Sequence, residues 1–424
     1  MFFHSVNRFW QSWRNFIAFW LFGIFNNFIY VVMLSAAVDI IYEDHPKDLS
    51  TDLKFHGRVN CTEIGTGAVL LADIGPSLIL KIVSPLFIRR LHFHLKVFLC
   101  ALFALSSFLI VSFSKSIAFS LFGVVCASIS CGLGDVTFLT MVAFFETDVV
   151  SAWSSGTGAA GVAGALSYAA MTSIFSPEVV LRIITLVPLA LLFVYLVVLK
   201  KPRNPVFQLT SSLIIRETQV NHHSDSPVSG ATVRGFFDGS PTNEEGEDSP
   251  SSRLPLLRND DRSTVQISPS REVAKRILMD IFPLIFALAL VYFFEYLINQ
   301  ALNPLYQVIY QCGVFASRSS LKLFKVRRTW IMAILQGMNF ILVLFHVLHP
   351  YVINISAFFS LITFEGILGG LSYVNTYHRV LTMGDPNTRE YSMSIAAFAD
   401  SFGITCAAFA AIQLHNYLCR AINS

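Results

Sequence analysis

Isolated carboxylates inside long apolar stretches are the residues of this chain whose chemistry needs an explanation. The segment ISCGLGDVTFLTM, residues 129–141, places Asp135 after two glycines and far from any other charge. An ionisable side chain is costly in a lipid bilayer, and it usually faces a cavity or a polar partner. Groups of this kind bind polar solutes or carry protons. The segment therefore predicts a polar path through a bundle of membrane helices.

Other polar residues interrupt the apolar stretches and are candidates for the same path. They are Asn27, Asp73, Glu295, Asn299, Arg318, Glu365, Asn375, His378 and Asp400. Asn375 and His378 are three residues apart and share a helix face. We favour proton coupling for Glu295 and Glu365. For the aspartates and asparagines, a structural hydrogen bond between helices is an equal alternative.

The composition indicates what surrounds these residues. Hydrophobic residues make up 54% of the chain, charged residues make up 13%, and 39 residues are phenylalanine. A soluble protein carries roughly 25% charged residues. The chain is therefore predicted to be a polytopic membrane protein with the lipid bilayer as a partner. Its formal net charge of +3 is too small to indicate binding of nucleic acid.

Eleven stretches have the length that a bilayer requires, about 20 apolar residues. In chain order they are 16–38, 64–88, 95–113, 117–146, 152–175, 179–199, 277–300, 304–323, 329–348, 351–378 and 391–415. The eighth is the least regular, because polar side chains make it amphipathic. These stretches predict an all-α bundle.

Basic residues and a glycosylation motif predict the orientation of the bundle. With the N-terminus in the cytosol, the clusters of Lys and Arg between the spans fall on the cytosolic side. The loop after the first span is then luminal, and it contains the acceptor sequence Asn60-Cys61-Thr62. Asn60 is therefore a candidate glycosylation site.

The segment between the sixth and seventh spans has a different composition. Residues 203–270 are rich in Ser, Pro, Asn and acidic residues, and they contain too few apolar residues to fold alone. We therefore divide the chain into a six-helix half at 1–199, a disordered cytosolic linker at 200–275 and a half of about five helices at 276–424. Leu256 and Leu257 follow an acidic cluster and resemble a dileucine signal for sorting adaptors, with a chance leucine pair as the alternative.

The two halves show signs of an internal repeat. A shift of 238 residues aligns Gly132 with Gly370 and Asp135 with Tyr373. Because six spans and a linker precede it, the second half has the same orientation as the first. Parallel halves are typical of major-facilitator transporters, whose substrate site lies between them. The predicted fold is therefore an all-α polytopic membrane protein of about 11 transmembrane helices, arranged as a major-facilitator-like two-repeat bundle.

Small residues predict close helix packing in the fifth span. They form the rows Gly156–Ala160–Gly164 and Thr157–Gly161–Ala165. Such rows allow the backbones of two membrane helices to approach each other. We therefore assign these residues to packing rather than to chemistry.

Four long motifs resemble the battenin family, named for the lysosomal membrane protein of juvenile neuronal ceroid lipofuscinosis. They are AVLLADIGPSLILKIVSPL in the second span, and FFEYLINQALNP, YQCGVFASRSSLKLF and FEGILGGLSYVNTYHRV in the second half. The resemblance implies a multi-pass protein of lysosomal and late endosomal membranes, related to major-facilitator and equilibrative nucleoside transporters. It implies roles in lysosomal pH control, arginine transport and export of glycerophosphodiesters, and it marks Glu295 and Arg318 as functionally sensitive.

One feature departs from the battenin pattern. Vertebrate members end in a prenylation box, whereas this chain ends CRAINS, with Cys419 sixth from the end. The resemblance therefore does not extend to lipid attachment at this cysteine.

These observations favour a lysosomal transporter-like protein that moves a small polar solute, with proton coupling and a role in lysosomal pH homeostasis. A glycerophosphodiester requires a basic residue in the path, for which Arg318 is the candidate. A basic amino acid such as arginine requires Asp135, Glu295 and Glu365 instead. The alternative is a membrane scaffold that recruits endolysosomal trafficking proteins through the linker.

The sequence does not favour an enzyme or a metal protein. It has no HxxxH box, no GxSxG motif and no paired catalytic aspartates, so we predict no catalytic residues. Its seven cysteines include no CxxC pair and no spacing typical of a metal site. We accordingly predict neither a metal nor a cofactor.

Overall fold

Every regular element in the described part of the chain is helical. The computed structural model describes residues 2–43, 66–87, 91–114, 116–202, 271–299, 304–348, 354–385 and 388–423. The predicted linker at 200–275 lies almost entirely outside these residues, so the division of the chain at 199 and 276 stays a prediction.

The helices are numbered here in chain order. The first half contains α1 (Phe2–Glu43), α2 (Thr66–Phe87), α3 (Phe93–Ser112), α4 (Ile117–Val142), α5 (Asp148–Thr172), α6 (Pro177–Ile184) and α7 (Leu186–Phe193), which continues into a π-helical turn at Val194–Val198. The second half contains α8 (Arg271–Asn299), α9 (Pro304–Arg318), α10 (Thr329–Leu348), α11 (Ile355–Met383), α12 (Arg389–Ala396) and α13 (Ala399–Asn423), with a 3₁₀ turn at Ser319–Lys322 after α9.

Eight of the described spans are long and apolar enough to cross a membrane, counting α6–α7 as one span and α12–α13 as another. The other three predicted spans correspond to α2, α5 and α9. Small and polar residues lower the hydropathy of α5, and α9 has only 15 residues. All three form contacts between the two halves. The all-α membrane fold is confirmed.

Equivalent helices of the two halves make equivalent contacts. Helix α1 packs against α5 as α8 packs against α13, and α2 packs against α4 as α9 packs against α11. Between the halves, α2 contacts α13 and α5 contacts α9. Each half thus uses the same pair of helices to contact the other half. Such contacts are expected when an axis along the membrane normal relates two parallel halves. The predicted two-repeat bundle is therefore confirmed.

The aligned glycines of the repeat allow the same close approach in each half. A side chain at Gly132 would collide with Ser77 on α2. A side chain at Gly370 would collide with Ser317 on α9. In the fifth span, Gly156 faces α1, whereas Gly161 faces α9. One small-residue row therefore packs within the first half and the other packs against the second half.

The buried apolar side chains distinguish the two ends of the bundle. One cluster joins both halves where α4 ends and α5 begins, and it includes Val142 and Val149 with Leu381 and Met393. We call this the closed end. At the opposite end, the clusters in the described residues each belong to a single half. Within the described residues, the halves therefore share one apolar cluster that reaches the closed end, whereas the other clusters each belong to one half.

Two irregular helices shape the centre of the bundle. Helix α2 runs through Pro76, and the backbone amide of Ser77 donates to the Ser128 hydroxyl at 3.0 Å, which provides a partner beside the proline. The last predicted span is interrupted at Ala397 and Phe398. This break starts α13 at the depth where Asp400 meets the first half.

Candidate functional site

A cavity of about 70 Å³ lies between the two halves. A cavity of this volume has room for a few water molecules. Its polar lining consists of Asn27, Tyr30, Asp73, Ser77, Lys81, Ser128, Asp135, Tyr292, Tyr296, Arg318, Tyr373, Asp400 and Ser401. Both halves contribute to this lining, as expected for the central site of a two-repeat transporter.

A buried ammonium group organises one side of the cavity. Lys81 Nζ lies 2.8 Å from an Asp135 carboxylate oxygen and 3.3 Å from an Asp400 carboxylate oxygen. It also donates to the Ser401 hydroxyl at 2.7 Å. The Asn26 amide donates to the other Asp135 oxygen at 2.8 Å, so both oxygens of this carboxylate have partners. The isolated aspartate of the sequence is therefore part of an ion cluster.

Helical spacing places three polar side chains of α2 on the cavity wall. Asp73, Ser77 and Lys81 follow one another at intervals of four residues, so they share a helix face. Asp73 has 1% of its surface exposed, and neither carboxylate oxygen has a hydrogen-bond partner among the described residues. An ionised carboxylate without a partner is unfavourable in this setting, and binding a proton or a cationic group would relieve it.

A second cation lies across the cavity on α9. Arg318 donates to the hydroxyls of Thr157 at 2.6 Å and Tyr292 at 2.7 Å. Its guanidinium carbon lies 4.1 Å from the centre of the Tyr373 ring. Tyr373 in turn accepts a hydrogen bond from Trp153 at 3.1 Å. Arg318 forms no ion pair within the described residues, and its Nε has no acceptor.

Aromatic and hydroxyl groups therefore hold the Arg318 guanidinium, whereas carboxylates hold the Lys81 ammonium. A guanidinium presents N–H donors in a planar fork that matches carboxylate and phosphate oxygens. The two cations line the same cavity but differ in how far their charge is already compensated. Arg318 is the cation that is available to an anionic group of a solute.

The structure separates the remaining sequence candidates from the cavity. Asn27 and Asp135 line it, together with Asp73 and Arg318. Glu295 does not line it and accepts a hydrogen bond from the buried Tyr310 hydroxyl. Glu295 nevertheless lies one helical turn beyond Tyr292, so it is close to the cavity wall.

Four other candidates also lie outside the lining of the cavity. Glu365 is fully buried, and neither of its oxygens has a hydrogen-bond partner. Asn375 accepts from the Val326 amide at 2.8 Å, so it holds the loop before α10. Asn299 and His378 are partly buried and do not line the cavity. Asn60, Leu256 and Leu257 lie outside the described residues.

Several site residues escaped the sequence analysis. Lys81 was within the quoted motif of α2 but was not considered as a cation of the path. Its signal was the four-residue spacing from Asp73 within an otherwise apolar helix. Asp400 was recognised as a polar residue of the last span, but Ser401 beside it was not. The tyrosines Tyr292 and Tyr373 had no signal, because aromatic residues are frequent throughout the chain.

Comparison with known proteins identifies the family. A sequence profile of the CLN3 protein family matches residues 17–421. The chain belongs to the CLN3 protein family. A CLN3-family relative, battenin of Canis lupus familiaris, is 37% identical over 96% of this chain and 92% of the relative. Protein BTN1 of Saccharomyces cerevisiae is 34% identical over 97% of this chain and 96% of the relative.

The CLN3 chain also resembles a solved transporter in its fold. The crystal structure of the human organic anion transporter MFSD10 (TETRAN) matches with a TM-score of 0.58 and 11% sequence identity. The match covers 96% of this chain and 95% of that chain. At this identity the likeness concerns the fold alone. This CLN3 family member is thus a multi-pass membrane protein with a major-facilitator-like fold.

Within the described residues, the CLN3 chain brings together no group of three His, Cys, Asp or Glu side chains suited to a metal ion. The two cations and the carboxylates of the cavity are groups that can bind a charged solute or exchange protons.

Proposed function

We propose that this protein is a carrier that moves a small polar solute across the membrane of lysosomes and late endosomes. The observation that supports it best is the cavity between the halves, which combines the Arg318 and Lys81 cations with Asp73, Asp135 and Asp400. Charged groups of both signs inside a membrane bundle are typical of substrate pathways. In alternating access, a carrier is open to one side of the membrane at a time. The apolar cluster shared by the halves at the closed end, and the single-half clusters at the other end, fit this mode of transport.

The solute class that fits best is a glycerophosphodiester. Its phosphate can accept hydrogen bonds from the Arg318 guanidinium, which has no carboxylate partner among the described residues. Hydrogen bonds between guanidinium and phosphate are strong because both groups are charged. The glycerol hydroxyls find donors and acceptors in the surrounding serine and tyrosine side chains.

A basic amino acid such as arginine is the second candidate, and Asp73 supports it. This carboxylate lines the cavity and has no hydrogen-bond partner, so a cationic side chain would compensate its charge. Glu295 and Glu365, the other carboxylates favoured by the sequence for this solute, do not line the cavity. The unpaired cation Arg318 therefore makes the phosphodiester the better candidate.

Asp73 is also our proposed site of proton coupling, with Glu295 close behind the cavity wall. A carboxylate that exchanges a proton during transport links solute movement to the lysosomal pH gradient. This link would account for a role in lysosomal pH homeostasis. Glu365 is buried within the second half, so it remains a candidate for a later step of proton transfer.

The membrane scaffold is the alternative to a carrier. Its support is the composition of the proposed linker at 200–275, with Leu256 and Leu257 as the proposed signal for sorting adaptors. Glycosylation at Asn60 is proposed on the sequence motif alone. In the scaffold interpretation, the ion cluster and Arg318 serve only to hold the helices together. Transport measurements distinguish the two functions.

The decisive experiment measures solute flux in proteoliposomes that contain the purified protein. We expect labelled glycerophosphocholine to cross faster than in protein-free liposomes, and arginine to cross more slowly than glycerophosphocholine. If neither solute crosses, and the isolated linker restores trafficking in cells that lack the protein, the scaffold replaces the carrier.

The Asp73→Asn variant tests proton coupling in the same proteoliposomes. An amide cannot bind the transported proton but keeps the size of the side chain. We expect flux without a pH gradient to persist and its stimulation by an acidic interior to disappear. Stimulation equal to that of the wild type would exclude Asp73 as the coupling residue.

A further inference from the structure

The partners of Lys81 come from both halves of the bundle. Lys81 on α2 belongs to the first half, as does Asp135 on α4, at 2.8 Å from its ammonium. Asp400 and Ser401 on α13 belong to the second half, at 3.3 Å and 2.7 Å. One ammonium group therefore makes one contact within its own half and two contacts across the interface.

Burial explains why two carboxylates are present. The Lys81 side chain is only 2% exposed, and a buried charge that loses its counter-charge is strongly destabilising. Asp135 stays beside Lys81 whatever the second half does, because α2 and α4 pack against each other. Asn26 fixes that carboxylate through its second oxygen, at 2.8 Å. Lys81 can therefore lose Asp400 and remain paired.

The size of the cavity indicates that this loss must occur during transport. A cavity of about 70 Å³ holds a few water molecules, whereas a glycerophosphodiester is several times larger than one water molecule in every dimension. The halves must separate to admit it, and α2 and α13 lie on opposite sides of the interface. Their separation draws Asp400 away from Lys81.

We propose that Lys81 and Asp400 form a breakable ion pair that holds the closed end of the carrier, and that Asp135 retains the ammonium while the pair is broken. This inference rests on the proposed carrier function. It assigns different roles to two aspartates that contact the same cation. Asp400 positions the halves, whereas Asp135 keeps the cation compensated.

A cysteine at position 84 can report whether the closed end is open. Ser84 is fully buried and lies three residues beyond Lys81 on α2, toward the closed end, where α12 also packs against α2. In the Ser84→Cys variant, alkylation at this position requires that the halves separate. Mass spectrometry reads modification at position 84 directly, so the native cysteines can remain.

Two matched substitutions separate the roles of the aspartates. In the Ser84→Cys background, we expect Asp400→Asn to raise the rate of alkylation about tenfold, the effect of a 1.4 kcal/mol shift in a conformational equilibrium. We expect Asp135→Asn to lower the rate, because Lys81 would then have no carboxylate partner once it separates from Asp400. An unchanged rate in Asp400→Asn, or an equal rise in both variants, would overturn the proposal.

A further variant tests the proposal if Asp400→Asn misfolds. The assay also separates this proposal from the proposed transport function. If Asp400→Asn is not monodisperse in detergent, Ser401→Ala weakens the same link and is expected to raise the rate in the same direction. If the alkylation rate does not rise in Ser401→Ala, the proposal is contradicted. The assay uses no solute, so a failed flux experiment would refute the proposed function while the alkylation result would still decide the role of Asp400.

Discussion

At the scale of single residues, the cavity shows how the surroundings of a charge determine its use. Lys81 and Arg318 line the same space, but only Lys81 has carboxylate partners among the described residues. Thr157, Tyr292 and Tyr373 orient Arg318 without neutralising it. A cation held in this way retains its attraction for an anionic ligand.

We therefore predict that Arg318→Gln weakens the binding of glycerophosphocholine at least tenfold. The loss corresponds to about 1.5–3 kcal/mol, the range for a hydrogen bond to a charged group. The concentration dependence of flux in proteoliposomes measures the effect. Arg318→Lys should recover only part of the affinity, because an ammonium group lacks the planar fork.

Thr157→Val provides the control for this prediction. It removes the hydroxyl that accepts from Arg318 at 2.6 Å but keeps the shape of the side chain and the cation itself. We expect a much smaller loss of affinity than with Arg318→Gln. Equal losses in the two variants would mean that Arg318 acts through the contact between the halves and not on the solute.

At the scale of helices, small residues decide which surfaces meet. A Cβ atom at Gly156 would collide with the Trp20 carbonyl oxygen and lie 3.2 Å from the Gly23 Cα atom. Gly23 and Gly156 thus bring the backbones of α1 and α5 together. Membrane helices have little hydrophobic drive to associate in lipid, so this close packing contributes a large part of their attraction.

Gly156→Ala is accordingly predicted to destabilise the folded protein by roughly 1–3 kcal/mol, the usual effect of overpacking. A lower melting temperature in detergent would reveal it. Gly75→Ala is the matched control, because a Cβ atom at Gly75 would have nothing within 4 Å. If the two variants melt at the same temperature, the contact between α1 and α5 does not limit stability.

At the scale of the whole molecule, links between the halves concentrate toward the closed end. Lys322 and Asp148 form an ion pair at 3.0 Å, and the hydroxyls of Ser155 and Ser319 lie 2.9 Å apart. The ion pair is exposed and contributes little by itself. Together with the shared apolar cluster, these contacts hold α5 against the end of α9.

We predict that a disulfide between Ser155→Cys and Ser319→Cys stops transport. The two hydroxyl oxygens are already 2.9 Å apart, so a bond between the substituted side chains needs little movement. The bond would tether the halves in the arrangement closed at this end. Flux in proteoliposomes should fall to the protein-free level after oxidation and return after reduction.

A second disulfide tests whether the tether acts by joining the halves. The Ser114 and Ser120 hydroxyls lie 3.0 Å apart, and both belong to the first half. Oxidation of a Ser114→Cys and Ser120→Cys variant should leave flux unchanged. Undiminished flux with the tether between the halves in place would contradict movement of the halves at the closed end.

The sequence predicted the fold more completely than it predicted the site. The apolar stretches predicted all the helical spans, and the aligned glycines predicted how the halves repeat. Within the site, Asn27, Asp73, Asp135 and Arg318 were predicted and line the cavity. Lys81 was missed, since a long side chain in a membrane helix can also extend toward the surface. Asn375 does not line the cavity, and its side chain accepts from the Val326 amide in the loop before α10.

The sequence alone determined the membrane setting, the helical spans, the two-repeat plan and the presence of charges in the bilayer. These properties follow from local composition and period, because hydrocarbon excludes unpaired polar backbone and disfavours charge. Only the tertiary structure decided which charges meet. Lys81 and Asp400 are 319 residues apart and pair at the interface between the halves, a contact that neither helix encodes separately.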